Sequence, residues 1–240
     1  MPAETLPILL VVREAPREKC FRSSRPPRLP SHNPLLHPPH RPPFISRTRF
    51  PTMIVPPSIE TERLVIRRHL PQDFEPMRSF FADEEATRLL DMTAEQKTKE
   101  AVRALLDAVM DSYDSGEPIF ALAIVEKEEG RFIGSCGMAP DDLDPREIQI
   151  FYVILPEFQG RGFASEAAAG LVSYAFTTLG VERLFASMAA ENAASVKVAE
   201  KLGMTLVGNV EKELGGAVYQ GRRRLLTKSR FLELRKRGRS

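Results

Sequence analysis

Residues 119–155 hold three strand-like runs with no helical segment between them, and no other feature limits the fold as tightly. The runs, at about 119–126, 131–138 and 147–155, are separated only by Glu128-Glu129-Gly130 and by Asp141 to Pro145. Strands joined so tightly lie antiparallel, because a parallel pair needs a crossover of a dozen or more residues. After residue 155 the rhythm changes. A helix over about 163–179 is predicted by the single stripe Ala168, Leu171, Val172, Ala175, Phe176 and Leu179, closed by Gly180. A strand at 183–189 follows, then a helix capped by Asn192 and stopped by Gly203. Two strands near 204–211 and 218–231 are expected to pair as a terminal hairpin.

Upstream of the meander, Leu64-Val65-Ile66 opens a strand, and a short helix after Pro71 turns Phe74, Met77, Phe80 and Phe81 inward. Thr93 with Gln96 reads as a capping box. Behind it Val102, Leu105, Leu106, Val109 and Tyr113 recur at helical spacing until Gly116. The elements predict an α+β fold: a mixed, mostly antiparallel twisted sheet of about seven strands, with helices on both faces.

Composition divides the chain near residue 57. Fourteen of the twenty prolines lie in residues 1–57, and residues 1–52 carry nine Lys/Arg against three Glu. Such a segment has too few apolar groups to offset its ordering entropy, so 1–57 is expected to be disordered. Three readings of it are open: an extension upstream of a start at Met53, an Arg-rich organelle-targeting segment, or a polyproline partner-binding arm. The folded part is expected over 58–232, followed by a basic tail at 233–240. With a chain total of +2, the remainder is mildly acidic, which argues against a nucleic-acid role for it. No run reaches the roughly 18 apolar residues of a membrane span. Glu4 precedes the short apolar run Leu6 to Val12, which speaks against a secretory signal. Cys20 and Cys136 lie far apart without metal-ligand spacing, so a reduced, cytoplasmic protein with no metal is expected. His32, His37, His40 and His69 do not assemble into a hydrolase or zinc site on sequence alone.

The chemistry concentrates in the loop Pro156 to Ala164, between a strand and an Ala-rich helix. A helix N-terminus offers unpaired N–H groups and the positive end of the macrodipole, and both attract phosphate. Gly160 and Gly162 remove side chains where a diphosphate must approach the backbone, and Arg161 adds a charge. A plain strand-to-helix turn without ligand remains the alternative. So does a dinucleotide site with Glu191 as its ribose-binding acid, against which stand Ser165 at the third glycine position and the missing βαβ alternation.

Gln159-Gly160-Arg161-Gly162-Phe163-Ala164 resembles the Gln/Arg-x-x-Gly-x-Gly/Ala signature of the GNAT acetyltransferase superfamily. Thr61-Glu62-Arg63-Leu64-Val65-Ile66-Arg67 resembles the opening strand of its Rim-type, ribosomal-protein N-terminal acetyltransferase branch. Asn192-Ala193-Ala194-Ser195, followed by Lys201-Leu202-Gly203-Met204, resembles that branch's Asn-x-x-Ser…Lys-x-Gly-Phe segment, with Met for Phe. The resemblance covers roughly residues 59–232.

It implies acetyl-CoA as co-substrate and an amine acceptor, either a peptide N-terminus or a small molecule. The N–H groups of Gln159 to Ala164 are then expected to hold the CoA diphosphate. Val153, Ile154 and Leu155 pair with the pantetheine arm, and Asn192 and Ser195 face its sulfur. An N–H near Ile154 or Leu155 receives the developing oxyanion. The tyrosine that many members place seven residues after the Asn is Ala199 here, so Ser195, or a water, is the expected proton donor. The strand position that often carries a carboxylate is Gln149, which leaves Glu147, two residues earlier, as candidate base. Tyr113 and Tyr219 are candidates for lining the acceptor pocket. Without a secure base, an α-amine (pKa about 7.7–8.0) costs about 1 kcal/mol to deprotonate at pH 7, a lysine roughly 4–5 kcal/mol. That favours a weakly basic amine. A non-catalytic acyl-CoA-binding module of the same fold is the second reading.

Overall fold

The computed structural model describes residues 53–90, 92–141, 143–214 and 217–237, with the side chains of 212–219 outside the description. The Pro/Arg-rich segment before residue 53, whose disorder the sequence suggests, lies outside these residues.

The folded part opens with β1 (Ser58–Glu60) and β2 (Leu64–Arg67), then α1 (Phe74–Ala82), α2 (Glu84–Thr87) and α3 (Lys99–Ser112). The meander follows as β3 (Ala121–Glu126), β4 (Phe132–Pro140) and β5 (Ile148–Ile154). Then come α4 (Phe163–Thr177), β6 (Arg183–Ala189), α5 (Ala193–Lys201), β7 (Thr205–Leu214), β8 (Ala217–Thr227) and α6 (Lys228–Arg237). One sheet holds eight strands in the order β1-β2-β3-β4-β5-β6-β8-β7. All neighbours are antiparallel except β5 and β6, which run parallel. The eighth strand beyond the expected seven is β1, a three-residue edge piece with one apolar side chain and hence no alternation to read.

Helices cover both faces. Gly170 of α4 lies against Ile59 and Ile66, whose face continues through Ile124, Cys136 and Tyr152. On the opposite face Met77, Phe80 and Phe81 of α1 pack over Ser135 and Val153. The stripe Phe74, Met77, Phe80 and Phe81 is buried as its spacing predicts, each side chain contributing about 1.5–3 kcal/mol. Cys136 is buried in the sheet, and burial pushes its thiol up to about 12.

Three boundaries differ from the sequence reading. Thr93 does engage Gln96, its N–H donating to Oε1 at 2.9 Å, but this closes only a short turn at Glu95–Lys97. The cap of α3 is Thr98, whose Oγ1 accepts from the Ala101 N–H. The strand expected to reach 231 stops at Thr227, where Oγ1 accepts from the Arg230 N–H as α6 begins. Phe231 of α6 stacks on Phe176 of α4 at 5.1 Å, and residues 233–237 are helix. Finally, residues just before β1 are not free of the body. Val55 is buried, its carbonyl accepts from Arg68, and Tyr174 donates to the Ile54 carbonyl.

β5 and β6 share a single register pair, Gln149↔Phe185, and then part. Two ion pairs flank that point: Glu147 with Arg183, and buried Asp141 with Arg223, which also lies over the Phe185 ring. They tie the β4–β5 hairpin to the second half of the sheet.

Beneath α1 a polar knot holds the end of β2. Arg67 grips Asp73 with two 2.8 Å bonds, the Leu70 N–H donates to the same carboxylate, and His69 Nδ1 lies 3.4 Å away. His69 Nε2 in turn lies 3.4 Å from Ser135 Oγ. The fold thus assembles an Asp–His–Ser row that sequence spacing hid, but His69 is only 4% exposed and the cavity that Ser135 lines has a volume of only about 10 Å³. Burial alone raises the Asp73 pKa; its hydrogen bonds overcome this and draw it from 3.8 down to about 2. A depressed carboxylate stabilises the fold above its ordinary pKa and loses that contribution as pH falls toward the folded value. Asp73→Asn is expected to cost about 2 kcal/mol in urea unfolding at pH 7, with the difference from wild type shrinking between pH 4 and pH 2.

Candidate functional site

The parting of β5 and β6 opens a cleft of about 900 Å³, within the size range of small-molecule sites. One end is built by the loop before α4. Gly160 (φ 75°) and Gly162 (φ 83°) take left-handed conformations that L side chains rarely adopt, and a Cβ on Gly160 would meet nothing within 4 Å. The turn therefore bares the backbone. The N–H groups of Gly160, Arg161, Gly162, Phe163, Ala164 and Ser165 donate to no described residue, whereas Gln159 N–H and Glu166 N–H on either side are satisfied. Six consecutive free donors at a helix start form an anion cradle.

The loop is held from behind by the start of the chain's folded part. Glu166 of α4 accepts from Thr61 Oγ1 (2.6 Å), from the Arg63 N–H (2.7 Å) and from Arg63 Nε (2.7 Å). Arg63 also donates to the Arg161 carbonyl and lies 4.6 Å from the Phe163 ring. The Thr61-Glu62-Arg63 segment thereby bolts the cradle to β2. Burial raises the Glu166 pKa, and the Thr61 and Arg63 bonds more than offset it, leaving it below 4.5.

The exposed edge of β5 forms one wall. Leu155 N–H donates to the Ile133 carbonyl at 2.9 Å. By the alternation of an antiparallel ladder, the N–H groups of Tyr152 and Ile154 then point away from β4, into the gap. Gln159 Nε2 donates to the Ile154 carbonyl, tying the loop to this edge. Across the gap Asn192 caps α5, its Oδ1 accepting from the Ser195 N–H at 3.0 Å. The Tyr152 hydroxyl donates to the Ser195 carbonyl at 3.2 Å and so spans from β5 to α5. Burial pushes that phenol up to about 12, keeping it protonated at neutral pH. Ser195 Oγ has no hydrogen-bond partner among the described residues.

Of the residues singled out by sequence, Val153, Ile154, Gln159, Gly160, Gly162, Phe163 and Ala164 line the cleft, together with Asn192 and Ser195. Three do not. Arg161 turns its guanidinium to buried Glu126 (3.4 Å) and toward the Phe163 ring. Leu155 has spent its N–H on β4 and faces the small α1 cavity. Glu147 is absent from the lining and is paired with Arg183, so a free base at the start of β5 is not what the fold provides. A shared strand face is the sequence signal for Glu147, and it carries no information about an arginine arriving from β6. Tyr113 is buried, its hydroxyl accepting from the His69 N–H and donating to the Ala121 carbonyl, away from the cleft. The Tyr219 side chain lies outside the described residues.

Sequence reasoning missed Tyr152, since an aromatic in a strand reads as core, and it missed the α2 wall of Asp83, Glu85 and Arg88. No group of three or more His, Cys, Asp or Glu side chains able to hold a metal occurs among the described residues. Among the described residues, no helix is long and apolar enough to cross a membrane.

The comparisons with known proteins agree with this geometry. The acetyltransferase (GNAT) domain family matches residues 63–205, more than half of the chain. The uncharacterized N-acetyltransferase YoaA of Bacillus subtilis is 30% identical over 63% of this chain and 85% of its own. A spermidine N(1)-acetyltransferase of Vibrio cholerae is 26% identical over 50% of this chain and 69% of its own. Two solved structures share the fold. The ribosomal-protein-S5-alanine acetyltransferase of Vibrio fischeri superposes with TM-score 0.62 at 18% identity, over 72% of this chain and 98% of that one. Spermidine N-acetyltransferase of Vibrio cholerae, in complex with CoA and spermine, gives 0.60 at 19%, over 72% and 99%. The chain belongs to the GNAT acetyltransferase family.

Because Glu166 joins α4 to β2 through three bonds, Glu166→Ala is expected to lower stability by about 1–2 kcal/mol at pH 7. Its pKa lies below the ordinary value, so this contribution is present at neutral pH and fades as pH drops below 4.5. Thermal melts of both proteins at pH 7 and pH 4 check it; equal melting temperatures at pH 7 count against the bolt.

Proposed function

We propose that this chain transfers an acetyl group from acetyl-CoA to an amine, either a small-molecule amine or a protein N-terminal α-amine. The observation that carries the reading is the run of six unclaimed N–H groups from Gly160 to Ser165, opening into the cleft beside the bare edge of β5. A diphosphate fits there: the glycines leave room, the helix start supplies donors, and Lys197 and Lys201 of α5 line the same cleft. The GNAT family match and a structural neighbour that holds CoA support the same donor.

Acetyl-CoA, when bound, supplies a thioester whose carbonyl carbon accepts the amine. The protein's own groups then divide the work. The Tyr152 and Ile154 N–H groups on the β5 edge align the extended arm of the donor, and the Ile154 N–H offers a hydrogen bond to the carbonyl oxygen as charge develops there. Ser195 Oγ, with no competing partner among the described residues, gives its proton to the departing thiolate and regains one from water. Asn192 and Tyr152 hold the Ser195 backbone on its two sides. The amine proton leaves by water toward the carboxylates lining the cleft, Asp83, Glu85 and Glu191. Glu147 has no part in this scheme. Leu155 gives way to Ile154, and Arg161 acts on the loop rather than on phosphate.

Mixing the protein with acetyl-CoA and a panel of peptides, polyamines and monoamines, while following free thiol, tests the reading. Acceptor-dependent thiol release is expected. Ser195→Ala is expected to lower kcat about 10- to 100-fold with little change in KM for acetyl-CoA. CoA binding without release on any amine would instead favour a binding module. Absence of CoA binding would sink both.

A further inference from the structure

One side chain at the acceptor end of the cleft is left without a role in that scheme. Arg88, just after α2, sends Nε to Glu85 Oε1 (2.8 Å) and Nη1 to Glu191 Oε1 (3.4 Å). All three residues line the cleft, and the contact runs from the α2 wall to the loop between β6 and α5. It therefore spans the opening from one wall to the other. Among the described residues Arg88 is the only basic lining residue on this side, because Lys197 and Lys201 belong to α5. The remaining carboxylate, Asp83, already accepts the Ala86 N–H as the cap of α2.

The pairing is built to be exchanged. The side chains of Arg88, Glu85 and Glu191 are 51%, 84% and 52% exposed. An ion pair so open to water contributes about 0–1 kcal/mol, unlike the enclosed Arg67–Asp73 pair beneath α1. Two carboxylates at the mouth of an amine site, bridged by a weakly held cation, present the pattern a second ammonium can take over.

We propose that Arg88 is a resident cation that sets acceptor specificity: an acceptor carrying a second positive charge displaces it from Glu85 and Glu191. This rests on the amine-acetyltransferase reading and narrows its substrate class to amines with two or more charges.

Titration of the full chain with spermidine and with hexylamine, both in the presence of CoA, tests this in wild type, Arg88→Gln and Arg88→Lys. Arg88→Gln is expected to bind spermidine about two- to fivefold more tightly and hexylamine unchanged, while Arg88→Lys behaves as wild type. Unchanged melting temperatures show that the exposed substitutions leave the fold intact. The proposal is overturned if Arg88→Gln binds spermidine equally or more weakly, if both amines shift alike, or if no variant binds spermidine. Thiol release measured on the same three proteins with acetyl-CoA in place of CoA separates the two readings. Spermidine binding that tightens in Arg88→Gln without any release leaves Arg88 as the gate and defeats acetyl transfer.

Discussion

Everything functional in this molecule depends on two parallel strands that pair once and then separate. A parallel ladder ordinarily repeats its bonds along its length. Here β5 and β6 meet at Gln149↔Phe185 and diverge, which leaves a strand edge bare inside the sheet rather than at its border. Bare edges seek partners. The fold makes that edge a wall of the cleft, with the loop before α4 at one end and the α2 wall at the other.

The arrangement is kept open by groups whose own bonds lie behind or beside the cleft. Thr61 and Arg63 fix α4 through Glu166, so the cradle stays in register with β2, four strands away from β6 in the sheet. Tyr152 and Asn192 fix Ser195 from opposite sides of the gap. The half-buried phenol stays protonated near neutral pH, so the tie it makes is constant under ordinary conditions.

Much of this was legible in the chain itself. The antiparallel meander, the stripe of α4 and the cap at Asn192 are local patterns, and each appears within a few residues of its expected place. The cradle was legible too, because glycines at 160 and 162 speak about backbone shape wherever the chain goes. What escaped were pairings between distant segments. Nothing near Glu147 announces Arg183, nothing near Leu155 says which way its N–H points, and Arg161 reads as a phosphate ligand until Glu126 is seen beside it. Likewise the knot of Asp73, His69 and Ser135 joins residues up to 66 positions apart. Local propensity writes elements; only packing writes partners.

The two ion pairs at the junction, Glu147 with Arg183 and Asp141 with Arg223, act as the fasteners of a clamp. The first sits behind the pairing point, and Arg223 of the second lies at it, over the Phe185 ring. The gauge of the opening is then an adjustable property, set by side chains remote from any reacting atom. Changing the lengths of these four side chains offers a route to a wider or narrower cleft in which the loop before α4 and Ser195 are left as they are.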